Sequence, residues 1–273
     1  MRAIGKRVIA FGLVNVPVKI YSATEDHDIS LHQVHDKDGG RIRYQRRCEI
    51  DGKVVPYEHI DKAYDAGDRT VILTNEDLAS LPEERSNEIE IVEFVPADQV
   101  DPMMFEKSYF LEPDSASAKA YVLLRETLEA TKRTAIVKFA LRQKTRLGAL
   151  RVREGVLVLQ GLLWADEVRT AEFPGLDAAV SISDKELDMS AKLVAGYESD
   201  FSPEKFDDDY QIQLKKLIDA KLEQGDSIDT EATFGEQGDG EKGEVLDLME
   251  ALRRSVEKNR SSKTRSGSGK KAG

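Results

Sequence analysis

Apolar and polar positions alternate from residue 7 to 21 in the manner of a strand, interrupted at Asn15-Val16-Pro17, where Pro17 marks an edge or a bend. Residues 70–73 make a second, short strand. Thr74 follows as a helix cap with Asp77 at the third helical position, and Leu81-Pro82 stops that helix. Residues 88–95 alternate cleanly, Ile89, Ile91 and Val95 against Glu88, Glu90 and Phe94, which is the pattern of a half-buried strand. Tyr109-Phe110-Leu111 is another strand, ended by Pro113. Ser115 or Ser117 can cap a helix running to about Thr131 on a stripe of Tyr121, Leu124 and Leu128. A strand follows in which Val137, Phe139 and Leu141 face one way and Ile136, Lys138, Ala140 and Arg142 the other. Arg153-Glu154-Gly155 then turns the chain into the apolar residues 156–164. Strands dominate to about residue 185, which suits a β-barrel or sandwich with helical decoration better than an α/β layer fold.

The intervening stretch is polar from 25 to 38 and holds His27, His32 and His35. Asp38-Gly39-Gly40 and Asp51-Gly52 are turn signals, and residues 57–64 read as a short helix. Beyond residue 200 the pattern changes. Ser202-Pro203 opens a helix to about residue 224 with Phe206, Tyr210, Leu214, Leu217, Ile218 and Leu222 along one side, and Gly225 ends it. Residues 226–243 form an acidic linker of low complexity. Residues 244–257 are again amphipathic, through Val245, Leu248, Met249, Leu252 and Val256, and the end of the chain is basic and disordered in character.

Charge sharpens this picture. The protein carries a formal −11, yet residues 132–153 hold eight basic side chains and no acid, and residues 41–47 hold four basic side chains and no acid. A basic row on a sheet within an acidic protein suits a polyanion such as nucleic acid. The same row also suits a solvated strand whose charges keep an edge from aggregating. Residues 198–250 are net −12 and residues 253–273 net +7, an acidic neck and basic tail of the kind flexible nucleic-acid arms use.

The single cysteine, Cys48, rules out an internal disulfide and fits a reducing cytoplasm. No apolar run approaches the roughly 20 residues that span a bilayer. The N-terminus alternates like a strand and lacks a small-residue cleavage site, so no signal peptide is expected. Phosphate-loop, dinucleotide and zinc-protease motifs are absent from the sequence. His32, His35 and Cys48 place no fourth metal ligand and read as polar loop residues. Glu49-Ile50-Asp51-Gly52 lacks the attacking lysine of the nucleotidyl-transferring ligases, so covalent nucleotidyl transfer is not supported.

Several long blocks carry a resemblance. FGLVNVPVKIYSATEDHDISLHQVH (11–35), RIRYQRRCEIDGKVV (41–55), YFLEPD (109–114), AIVKFALRQKTRLGALRV (135–152), LLWADEVR (162–169) and FSPEKFDDDYQIQLKKLIDAKL (201–222) closely resemble, in collinear order, the bacterial Ku family of non-homologous end joining. The resemblance implies a mixed β fold with α: a β-barrel core with a bridging arm that forms half of a dimeric ring, a helical C-terminal region and a disordered basic tail. The implied bounds are 1–195 for core and arm, 196–225 for the helical region, 226–243 for the acidic linker, and 244–273 for the last helix and tail.

The implied function is non-catalytic, sequence-independent binding of double-stranded DNA ends by a homodimer. That dimer recruits and stimulates ATP-dependent DNA ligase D, without a cofactor or a membrane, in the bacterial cytoplasm on the nucleoid. The matching blocks put Arg41, Arg43, Arg46 and Arg47 on the bridge, and Lys138, Arg142, Lys144, Arg146 and Arg151 on the barrel, as phosphate contacts. Charge reversal at Arg142 or Arg146 is expected to weaken binding and leave the dimer intact. Phe206, Tyr210, Leu214 and Leu217 are the candidate ligase contacts, unless that stripe packs on its own barrel. Lys263, Arg265, Lys270 and Lys271 are candidates for a mobile hold on DNA. Two departures stand out. Relatives often carry Cys-x-x-Cys where this chain has Cys48-Glu49-Ile50-Asp51, so no zinc is expected. Gly5-Lys6-Arg7-Val8 also replaces a Trp and small residues near the N-terminus. The rival readings are a nucleic-acid-binding barrel without an end requirement and an enzyme acting at DNA ends.

Overall fold

The first strand pair sets the frame. β1 (Ala3–Phe11) turns at Gly12-Leu13 into β2 (Val14–Ser22), with Phe11 opposite Val14. The break is therefore at Gly12, whose φ is +58°, and not at Asn15–Pro17. Pro17 lies inside β2, opposite Val8. Its carbonyl accepts the Asp114 N–H at 3.0 Å, just past the last registered pair with the next strand, Val18 and Pro113. The missing N–H of Pro17 points to that same open margin, which is where a strand tolerates proline.

A computed structural model of the chain describes residues 1–81, 87–114, 118–141, 144–176, 180–225 and 251–256. In chain order β3 (Lys62–Asp65) and β4 (Thr70–Leu73) form a two-stranded sheet of their own, and α1 (Asn75–Ala79) follows. Then come β5 (Glu88–Pro96), β6 (Phe105–Pro113), α2 (Ala118–Thr131), β7 (Arg133–Ala140), β8 (Thr145–Arg153), β9 (Val156–Leu162), α3 (Asp184–Tyr197) and α4 (Asp209–Gln224). Seven strands close a barrel in the order β1-β2-β6-β9-β8-β7-β5. Closure comes from a short parallel contact in which Val8, Ile9 and Ala10 lie beside Glu88, Ile89 and Glu90. A bulge between Ile91 and Glu93 bends β5 away beyond that seam.

The interior is filled by the apolar alternates: Ile9, Val16, Val18, Ile20, Ile89, Leu111, Val137, Leu150, Leu157 and Leu159 are fully buried. Phe139 fits because Gly148 lies close by on the same face; a Cβ there would stand 2.8 Å from the Phe139 ring. Tyr121, Leu124 and Leu128 of α2 join the same core, and α2 packs on β2, β7 and β8. Burial pushes the Tyr121 phenol up. Its hydroxyl donates to the Leu111 carbonyl at 2.7 Å and accepts the Leu157 N–H at 2.8 Å, tying α2 to β6 and β9. A second apolar group, Val100, Ala149 and Leu162 with Ile136, Leu147 and Phe105, covers the outer face of β7, β8 and β9.

Other expectations change in detail. Thr74 and Asp77 do form a capping box on α1. Residues 57–64 are a one-turn 3-10 helix (Tyr57–His59) running into β3, with Pro56 supplying no side-chain cap. Among the described residues strands end at Leu162 rather than near 185. α3, unforeseen, is capped by Ser183 with Glu186. Pro203 opens only a 3-10 turn (Pro203–Lys205), and the long helix starts at Asp209 because the Asp208 carboxylate accepts the Gln211 N–H at 3.1 Å. Ser115, Ser117 and the linker 226–243 lie outside the described residues. Of residues 244–257, 251–256 are described and helical.

The chain divides into two compact units, Met1–Ala171 and Glu172–Gly273. Among the described residues no helix is long and apolar enough to cross a membrane.

Candidate nucleic-acid interface

Between the barrel strands β2 and β5 the chain makes a long excursion. From residue 24 to 81 not one side chain is buried. Turns hold its shape. In the first, the His35 N–H donates to the Gly40 carbonyl at 2.8 Å and the Gly39 N–H to the His35 carbonyl at 2.9 Å, with Gly39 at φ +68° and the Gly40 N–H donated to the Asp38 carboxylate at 2.8 Å. That N–H, and then His35, holds Asp38 below the usual carboxylate range. Cys48, Gly52 and Lys53 close the second in the same way, and the Lys53 N–H lowers Asp51 likewise.

Stretched between the two turns is the arginine run. Arg41 sits opposite Val34 and Arg47 opposite Val54, each as a single bridge. Arg43 and Arg46 lie in the irregular segment between them, and all four arginines are exposed. The Arg46 guanidinium lies 5.2 Å from the centre of the Tyr57 ring. Among the described residues none of the four has a carboxylate within 4.0 Å.

The barrel basics divide: the lysines are exposed, whereas Arg146 and Arg151 of β8 are engaged by other strands. Lys138 on β7 stands opposite Leu147 and Glu90 and is exposed, and Lys144, in the turn after it, is exposed as well. Arg142 lies outside the described residues. Arg146 stands opposite the buried Phe139 and so projects to the core side, at the barrel rim. Its Nη1 reaches Glu106 on β6 at 3.0 Å, with 35% of the side chain exposed. Arg151 is on the outer face opposite Val158. Its Nη2 donates to Gln160 Oε1 at 2.6 Å and its guanidinium lies 5.8 Å from the Phe105 ring centre. Lys138 and Arg151 thus share a face of the sheet and Arg146 takes the other.

In the second unit, Phe206 lies between the 3-10 turn and α4, with its ring 6.0 Å from Phe201. Tyr210 opens α4 and is exposed, while Leu214 and Leu217 are half-buried. Lys263, Arg265, Lys270 and Lys271 lie outside the described residues. Sequence reasoning missed the contacts of Tyr44 and Tyr57 on the arm and the pairing of Arg146 with Glu106; no local signal links residues 40 positions apart.

Residues 10–189 match the family model of the Ku70/Ku80 beta-barrel domain. The chain is 63% identical over 259 residues to the "Non-homologous end joining protein Ku" of Leifsonia xyli subsp. xyli, covering 94% of this chain and 89% of that one. It is 54% identical over 261 residues to the protein of that name from Mycolicibacterium smegmatis (94% and 82% covered). It is 57% identical over 236 residues to that of Mycobacterium tuberculosis (85% and 86% covered). A closed seven-stranded barrel with an arginine-bearing excursion, matched along most of its length at such identities, belongs to the Ku family.

Proposed function

We propose that the protein binds the ends of double-stranded DNA without sequence preference, as a ring-shaped homodimer that performs no catalysis. In non-homologous end joining it would recruit and stimulate ATP-dependent DNA ligase D. The observation that carries this is the arm. A segment from 24 to 81 with no buried residue is shaped by turns and by one two-stranded sheet, which alone is marginal in water. Such a segment gains from surfaces that lie outside its own chain. A second copy supplies one, and DNA supplies the other, since Arg41, Arg43, Arg46 and Arg47 have no acidic partner of their own among the described residues. Lys138, Arg142 and Lys144 extend the phosphate contacts onto the barrel, with Arg146 and Arg151 set at its margin. Base-edge readout plays no part, because a protein that accepts any broken end reads only backbone.

In this reading residues 1–195 are core and arm and residues 196–225 form the helical region that meets the ligase through Phe206, Tyr210, Leu214 and Leu217. Residues 226–243 link it to a basic tail whose Lys263, Arg265, Lys270 and Lys271 add a salt-sensitive hold. The site of action is the bacterial nucleoid.

The test is a gel shift on one duplex in three forms: linear with free ends, linear with both ends blocked by bulky protein caps, and covalently closed relaxed circle. Binding to the free-ended form alone supports a threaded ring. Equal binding to all three would make the protein a surface binder without an end requirement. If the dimer neutralises about eight phosphates, log affinity falls against log salt with a slope near −7.

A further inference from the structure

Residues 33–45 and 46–58 are one 13-residue unit used twice in tandem. Asp38 and Asp51, Gly39 and Gly52, and Tyr44 and Tyr57 occupy equivalent places, with Asp36 and Glu49, and Ile42 and Val55, as similar pairs. The backbone repeats with the sequence. The first residue of each unit accepts an N–H from its tenth, Ile42 to Gln33 at 3.0 Å and Val55 to Arg46 at 2.9 Å. The third and eighth close the turn, His35 with Gly40 at 2.8 Å and Cys48 with Lys53 at 2.9 Å. The glycines adopt φ +68° and +67°. In each unit the first side chain also holds the tyrosine. The Tyr44 hydroxyl donates to the Gln33 side-chain carbonyl, and the Arg46 guanidinium lies over the Tyr57 ring.

Both rings are pinned without being covered: Tyr44 is 83% exposed and Tyr57 76%. The Gln33 contact takes only the phenolic edge of Tyr44, and Arg46 takes only one side of Tyr57. A ring already fixed in place loses little freedom when something stacks on it. The partner's chemistry follows from the surroundings. Arg46 lies over Tyr57, and Arg41, Arg43 and Arg47 belong to the same run as Tyr44; none of the four has a carboxylate within ion-pair distance among the described residues, so the complementary surface is polyanionic. Aromatic faces interleaved with phosphate-binding cations are the means by which proteins hold single-stranded nucleic acid. A duplex hides its base faces in the stack, save the outer face of its last pair, so free faces in succession are presented only by unpaired nucleotides.

We propose that Tyr44 and Tyr57 form a paired stacking platform for unpaired nucleotides at a DNA end, with Arg43 and Arg46 on the adjoining phosphates. The proposal rests on the DNA-end reading and adds to it a preference among kinds of end.

The full-length protein is titrated, at one salt concentration, onto a fluorescent duplex whose far end carries a bulky protein cap. The near end is either blunt or carries a 3′ oligo(dT) overhang of about six nucleotides. The expected result is at least about fivefold tighter binding to the overhang end, since one base–aromatic stack contributes a factor of roughly 5 to 150. That ratio falls to about one in the Tyr44→Ala/Tyr57→Ala double variant and persists in Tyr44→Phe, which keeps the ring and loses the Gln33 bond. A wild-type ratio of one with blunt-end binding intact would overturn the platform. So would a double variant that keeps the wild-type ratio. A double variant that loses its dimer mass by light scattering would place the rings against a second copy, and would overturn it too. Failure of the wild type to bind the blunt duplex at all would instead defeat the end-binding reading beneath it.

Discussion

The two basic stretches of this chain have similar compositions and different fates. On β8, Arg146 reaches across β9 to Glu106 on β6, and Arg151 finds Gln160 on the adjacent β9 and the Phe105 ring on β6 beyond it. On the arm, among the described residues, Arg41, Arg43 and Arg47 find no acid, and Arg46 finds only the Tyr57 ring. The difference is one of neighbours. A strand in a closed barrel has another strand about 4.8 Å away on either side and a further one beyond it, so a long cationic side chain readily meets a partner. A segment stretched between two turns has no such flanks, and its charge stays available. Density of arginine in the sequence is therefore a poor guide to an interface; the number of structured neighbours is a better one.

That contrast can be broken by experiment. The largest effect is expected from Arg41→Glu/Arg43→Glu/Arg47→Glu, which replaces phosphate attraction with repulsion. Affinity for linear duplex should fall on the order of 100-fold or more, with the melting temperature within about 2 °C of wild type. Anisotropy and calorimetry on the same samples check both halves, and a fall in melting temperature that parallels the affinity would erase the distinction between the regions. Tyr121→Phe probes the opposite case. It leaves the Leu157 N–H and a Leu111 acceptor site unpaired in the barrel and should cost about 1–3 kcal/mol. A urea melt should show that loss, with binding unaltered well below the transition. Arg146→Ala is smaller: a pair about a third exposed contributes about 1 kcal/mol at most, and the variant should lose less affinity than Arg43→Ala. Lys132→Gly should stabilise by about 0.5–1 kcal/mol, because Lys132 ends α2 at φ +51°, a left-handed position that glycine occupies without strain. The denaturant midpoint reads it.

The mildest effect is acid loosening of the arm. Asp38 and Asp51 lie below their ordinary range through the Gly40 and Lys53 N–H groups. Their contribution is present above the unfolded carboxylate value and is lost as pH falls through the depressed one. Hydrogen exchange in acid should therefore speed at Gly40 and Lys53 before it does so in β9. Simultaneous loss in both places would mean that the turns do not depend on those carboxylates.

Much of the barrel was legible because burial enforces alternation. Residues 88–95 and 156–164 announced strands, although the bulge after Ile91 puts Phe94 and not Val95 on the side of Ile89 and Ile91, and Asp38-Gly39 and Asp51-Gly52 announced turns that the positive φ of each glycine explains. What required two distant segments was not legible. The closure of β5 on β1 uses three positions with no sequence mark, and Glu106 gives no local sign that it faces Arg146. The start of α4 was misplaced because two capping signals, Ser202-Pro203 and Asp208, compete within seven residues, and the carboxylate prevails. α3 is a different kind of miss, since Ser183 and Glu186 carried the capping-box pattern in full view. On the arm the arginines stood out but their freedom did not, because a sequence shows charge and not the absence of a neighbour.

The barrel seam has a mechanical consequence. The arm leaves from β2 and returns into β5, and both strands flank β1. From the register its two roots stand roughly 20 Å apart, two strand spacings across and about six residues along. Tension on the arm is therefore delivered to one strand from both sides. The β2 root is fastened along nearly the whole of β1, whereas β1 grips the β5 root only at Val8, Ile9 and Ala10. Pulled hard enough, the molecule should part first along that short parallel stitch, opening the barrel into a single sheet that runs from β1 through β2, β6, β9, β8 and β7 to β5.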